Sequence, residues 1–158
     1  MSGSGFLTPE AIERIEEELR GFRQVAKARV TFLIDRNGQL IGQAGETNTV
    51  DATSLGALTA SNIAASKAIA DLLGEAEFGG VLHEGEETHI HVSLVGTQAI
   101  LVVVFDAQTS IGLVRLRVKP TARTLADLIA GEETSESREE ELSPFAEITD
   151  EDIDQLFG

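Results

Sequence analysis

The sequence predicts an α+β fold in which an antiparallel sheet carries helices on its faces. Three observations lead there: a hairpin signature early in the chain, a long helical stretch in its middle, and two adjacent β-branched segments beyond it, the second apolar on both faces. The elements come in the order helix, two strands, helix, three strands, and a last segment that reads two ways. With 158 residues the chain is one domain's worth, long enough for a core that needs neither disulfide nor metal.

Thr8 to Lys27 begins with a capping threonine, Pro9 at the first helical position and Glu10 in the first turn. Ile12, Ile15, Leu19, Phe22 and Val25 or Ala26 then recur at helical spacing, so this helix is amphipathic. Arg29 to Ile34 is a β-branched apolar run, Asp35-Arg36-Asn37-Gly38 is a tight-turn sequence, and Gln39 to Ala44 resumes the strand. Val81 to Glu84 reads as a short strand. His89 to Val95 alternates, with Ile90, Val92 and Leu94 on one face and His89, His91 and Ser93 on the other, which predicts a half-buried strand. Ala99 to Phe105 is apolar throughout, as a central strand covered on both sides should be. Thr109 to Ala130 divides the evidence: Val114 to Lys119 alternates like a strand and Pro120 opposes an unbroken helix, while Ser110 is a good cap and the leucines fit helical stripes.

The stretch from Asp51 to Gly74 is the longest predicted helix, with Asp51 as N-cap and Gly74 as the terminating glycine. Leu55, Leu58, Ala65, Ile69, Leu72 and Leu73 fall on one stripe, expected to cover the sheet. Ala57, Ser61, Ala64 and Ala68 fall on a second, where nothing larger than a hydroxymethyl group projects. A face without Lys, Glu or Arg suits the close approach of another backbone, so the helix is expected to bury one side against its sheet and one against another chain. The plain alternative is that alanine is simply a good helix former.

The formal charge of −15 argues against nucleic acid and anionic membranes as partners. Between Glu132 and Asp154 lie 11 acidic residues and one basic, Arg138, so this tail holds −10 and the rest of the chain −5. The absence of cysteine fits a reducing cytoplasm. The longest apolar run, Ala99 to Phe105, is far too short to span a membrane, and MSGSGFL lacks the regions of a signal peptide. The expected division is a domain over 1–130, an acidic disordered linker over 131–142, and a C-terminal amphipathic recognition helix over 143–158. In that last segment Phe145, Ile148, Ile153, Leu156 and Phe157 return apolar surface beside Asp150, Glu151 and Asp152, the layout of a helix-in-groove ligand. Folding back onto its own domain is the alternative.

FLIDRNGQLIGQAG (32–45), TSLGALTASNIAA (53–65), ILVVVFDAQTSIGLVRLRVK (100–119) and the ending SPFAEITDEDIDQLF (143–157) resemble the bacterial branch of the roadblock/dynein light chain family that partners a small Ras-like GTPase in cell polarity and gliding motility. The resemblance implies a five-stranded, mainly antiparallel sheet in the order αββαβββα with helices on both faces, which makes Thr109 to Ala130 the third helix. It implies a homodimer that pairs its second helices and extends one sheet into the other, localised in the cytoplasm with enrichment at a cell pole. It makes Ala57, Ala60, Ser61, Ala64 and Ala68 the GTPase-binding and dimer surface of the second helix, with the GTPase in contact with Ala64 and Ala68, and Phe145 to Phe157 a second contact that modulates nucleotide exchange.

No catalytic residue, cofactor or metal is assigned to the chain itself. A partner arginine inserted in trans accelerates phosphoryl transfer by roughly 10³ to 10⁵, and Arg36 at the hairpin tip is a candidate by position. The resemblance implies instead that the GTPase uses its own arginine and glutamine, which the roadblock dimer pushes into place, and that GTP and Mg belong to the GTPase. There is no GxxxxGK[ST] phosphate loop. His89 and His91 with His83 and Glu84 nearby form only a weak metal pattern, because a third ligand of defined spacing is missing. A scaffold that recruits a GTPase without changing its turnover needs the same platform and stays open at the level of sequence.

Overall fold

The computed structural model describes residues 7–76 and 78–145. Helix α1, Pro9–Ala26, starts where the Thr8 hydroxyl accepts from the Ala11 amide at 3.1 Å and ends at Lys27 in the left-handed region. It buries Ala11, Ile15, Leu19, Phe22 and Ala26, while Val25 stays exposed. Strands β1 (Val30–Asp35) and β2 (Leu40–Gly45) form the hairpin. Its turn is fixed by Asp35, whose carboxylate accepts from the amides of Asn37 at 2.8 Å and Gln39 at 3.0 Å, and by Gly38 at φ +89°. After helix α2 (Ala52–Leu72) come β3 (Gly80–Glu84), β4 (His89–Val95) and β5 (Ala99–Phe105).

The sheet is antiparallel with order β2-β1-β5-β4-β3, so the wholly apolar β5 is its central strand. Helices α1 and α3 cover one face over Leu33, Leu101, Val103 and Phe105. Helix α2 alone covers the other, over Val30, Phe32, Ile34, Val92, Val102 and Val104. Covering on both sides explains why β1 and β5 contain almost no alternation. It also corrects the reading of β4 as half-buried, because His91 and Ser93 on its polar face are buried on the side that α3 covers.

The ambiguous segment is helix: α3 spans Ile111–Phe145, and the Ser110 hydroxyl accepts from the Leu113 amide at 3.2 Å. Val114, Val118, Thr121, Leu125 and Ile129 are buried at helical spacing, which overrides the local alternation of Val114 to Lys119. Pro120 is tolerated because it lies on the exposed side, one turn beyond exposed Leu116, where water can reach the carbonyl that loses its donor. The helix also continues through 131–142, where the sequence reading placed a disordered linker. Glu and Arg are good helix formers, and no proline intervenes before Pro144. Of the tail residues, Phe145 is the last of α3, and Ile148, Ile153, Leu156 and Phe157 lie outside the described residues. Among the described residues no helix is long and apolar enough to cross a membrane.

Candidate functional site

Both ends of α2 are closed by local chemistry. Asp51 accepts from the Ser54 amide at 3.2 Å and the Ser54 hydroxyl at 2.7 Å, and these bonds, the hydroxyl's first, hold its carboxyl below the usual aspartate range. At the other end Gly74 turns left-handed at φ +75° while the Glu75 amide donates to the Ala70 carbonyl at 2.9 Å and Gly74 to Asp71 at 3.2 Å, a Schellman closure. Lys67 and Asp71 pair one turn apart on the flank.

Rotation of the helix about its axis is set by glycine. A Cβ on Gly56 would lie 2.4 Å from the Gly38 carbonyl oxygen, and one on Gly38 would lie 2.9 Å from the Ala57 Cα, so the helix backbone rests directly on the β1–β2 turn. Consequently Gly56, Thr59, Ile63 and Ala70 are the buried residues, with Ala52, Leu55 and Ala60 packed beside them. The Thr59 hydroxyl is satisfied within the helix by the Leu55 carbonyl at 2.8 Å. We expect Gly56→Ala to destabilise the domain by about 1–3 kcal/mol through overpacking against backbone, despite alanine's higher helix propensity. Urea denaturation measures this, and a gain in stability would show that α2 does not bear on the hairpin.

This orientation overturns the predicted core stripe. Only Leu55 turns toward the sheet, whereas Leu58, Ala65, Ile69, Leu72 and Leu73 are exposed. Leu58 is 68% and Leu72 87% exposed, values far from those of core leucines. Around Gly56 the close approach leaves no room for a larger side chain, and with the helix held in that rotation Ile63 and Leu55 face the sheet while the other leucines are turned outward. On helical geometry the α2 surface has three faces. The buried face lies about 140° from the stripe of Leu58, Ala65, Ile69 and Leu72, and about 140° the other way from the stripe of Ala57, Ser61, Ala64 and Ala68. Those four small residues are exposed, while Ala60 is half-buried toward the sheet. The Ser61 hydroxyl donates to the Ala57 carbonyl at 3.0 Å, so the small stripe offers no unpaired polar group. The Asn62 side-chain oxygen, between Leu58 and Leu73 on the flank, is buried without a hydrogen-bond partner among the described residues.

Elsewhere, Arg36 donates to the Thr97 carbonyl at 2.5 Å, tying the hairpin tip to the β4–β5 turn. Strand β3 pairs with β4 alone and is one edge of the sheet. His89 stacks at a tilt on Phe105 with ring centroids 5.3 Å apart. His91 lies under α3, where burial first and the Arg115 charge second push its pKa down. Among the described residues no three His, Cys, Asp or Glu side chains gather in a way that would hold a metal.

An open antiparallel sheet in the order αββαβββα, with one face covered by a single helix whose outer side is bare, defines the roadblock class. The Roadblock/LC7 domain model matches residues 14–105, and the chain belongs to that family. Within it the chain is similar to MglB. Myxococcus xanthus MglB is 41% identical with a TM-score of 0.75, over 80% of this chain and 95% of that one. The gliding protein MglB of Thermus thermophilus is 34% identical with a TM-score of 0.73, over 79% and 95%. An MglB described as having a tetrameric arrangement is 35% identical with a TM-score of 0.74, over 80% and 95%. No curated protein sequence matches.

Proposed function

We propose that this chain is a homodimeric regulatory partner of a small Ras-like GTPase of the MglA type, and that it stimulates GTP hydrolysis by seating the GTPase across two paired α2 helices. The observation that carries this reading is the doubly apolar outer surface of α2. A solvated helix carries charge on its outer face, yet here one stripe is leucine-rich and the adjacent one is alanine and serine. The leucine-rich stripe, with Ile69, has the bulk and apolarity of a seam between two copies. The small stripe, presented side by side from both copies, is a smooth backbone surface of the kind a switch loop can lie against. Similarity to MglB supports the same assignment.

Catalysis then belongs to the GTPase. The dimer restricts the arginine and glutamine of the GTPase to productive positions, and positioning and charge stabilisation account for most of phosphoryl-transfer catalysis. GTP and Mg are held by the GTPase, and the roadblock chain contributes shape. Strand β3 extends the sheet into the second copy. The pair acts in the cytoplasm, concentrated at a pole. Phosphate release by the cognate GTPase, measured with and without this protein, tests the proposal. Stimulation is expected, and binding with unchanged turnover would make the chain a scaffold.

The C-terminal segment is assigned a second contact on the GTPase, through Phe145, Ile148, Ile153, Leu156 and Phe157. Removing residues 146–158 should alter nucleotide exchange on the GTPase while leaving the stimulation of hydrolysis by α2 in place. An exchange rate identical to that with the full chain would retire this role.

A further inference from the structure

The face of the sheet opposite α2 contains a feature the GTPase reading does not use. Between β3, β4 and the first three turns of α3 lies a cavity of about 540 Å³, within the size range of small-ligand sites. Its floor is polar. His91 and Ser93 are 5% and 4% exposed, and His91 Nδ1 and Ser93 Oγ have no hydrogen-bond partner among the described residues. Buried polar groups are nearly always paired, so two orphans lining one cavity point to a bonding partner that enters it. Arg115 and Lys119, one turn apart on α3, line the same cavity and make no ion pair among the described residues. The walls are kept open by glycine. A Cβ at Gly80 would sit 3.0 Å from His91 Nε2, and Gly112 likewise adds no side chain to the α3 side.

We propose that this cavity binds a small oxyanion, a phosphate- or carboxylate-bearing molecule. Arg115 and Lys119 supply the charge, Ser93 Oγ donates to an anion oxygen, and His91 Nδ1 takes the remaining polar contact. Two cations without an ion pair among the described residues, at a cavity of a chain whose net charge is −15, mark the spot as the place where an anion is accepted. The chain's own acidic end is a poor occupant. Phe145 lies 28 residues beyond Arg117 on one continuous helix, about 42 Å away. The acidic residues Asp150 to Asp154 follow it by at most nine positions, about 32 Å of fully extended chain, which falls short of that distance. Dimerisation through β3 does not compete either, because an edge strand pairs in the plane of the sheet while the cavity lies over its face.

The test uses the full-length protein, titrated at constant ionic strength with inorganic phosphate in one arm and succinate in the other. With only three histidines in the chain, the His91 ring is readily followed by NMR. A saturable shift of the His91 resonance with at least one anion, together with a saturable rise in Tm, is expected. Both should be lost in Arg115→Gln/Lys119→Gln, whose exposed side chains leave the fold intact. Ser93→Ala should weaken binding without abolishing it. A flat response to both anions, or an undiminished response in the double variant that marks an adventitious ion only, would overturn the proposal. The GTPase reading would stand, because α2 is on the other face.

Discussion

Replacing Ala64 or Ala68 by arginine should remove stimulation of the GTPase while the roadblock dimer keeps its mass and its thermal stability. Both alanines are exposed on α2, in the stripe with Ala57 and Ser61. On the single chain a guanidinium there meets only water, and surface substitutions of that kind change stability by about 0.5 kcal/mol or less. Against a GTPase seated on the stripe, the same side chain holds the two backbones apart and buries a charge with no partner. An uncompensated buried charge costs about 3–5 kcal/mol, which is roughly 10² to 10³ in affinity or more. Phosphate release with saturating GTPase, and light scattering on the variant alone, separate the two effects. Stimulation at the level of the unsubstituted protein by both variants would show that the GTPase sits elsewhere.

The fold was legible in the sequence wherever a local device and a periodic pattern agreed. Thr8 with Pro9, Asp35 with Gly38, and Asp51 with Gly74 all form the caps and turns their side chains imply. The helices failed to be legible where pattern and packing diverged. In α3 the run Val114 to Lys119 alternates, yet only Val114 and Val118 are buried, because the sheet face beneath asks for every fourth residue. Helix α2 carries apolar or small residues on more than one stripe, so periodicity could not say which stripe faces inward. That was decided by a contact distant in sequence, the Gly56 backbone against Gly38, which no local pattern reports. The signal that could have found it is a glycine inside an otherwise strong helix, a position where glycine costs about 1 kcal/mol unless another backbone comes close. The polar floor at His91 and Ser93 was visible as one face of β4, but its burial depends on where α3 lies.

The corrected orientation of α2 makes the leucine-rich stripe the more consequential half of the site. Leu58→Glu combined with Leu72→Glu should convert the dimer to a folded monomer that no longer stimulates the GTPase. The two positions are 14 residues apart, four turns of one stripe, and both side chains are largely exposed in the single chain. Neither supports the monomer core, so circular dichroism and the unfolding transition should hardly change. In a two-fold pairing each substitution counts twice, and burying four leucine side chains contributes about 6–12 kcal/mol before the cost of four desolvated carboxylates is added. That is of the order of the whole association energy of a micromolar to nanomolar dimer, about 8–12 kcal/mol. Sedimentation of the double variant gives the mass directly. A dimer that persists would show that the exposed leucines serve some surface other than the seam, and the seat would then have to be built from one α2 alone. A monomer that still stimulates hydrolysis would separate the seat from the pairing. Together with arginine at Ala64, which should abolish stimulation without changing the mass, the pair of experiments assigns the two outer stripes of α2 independently.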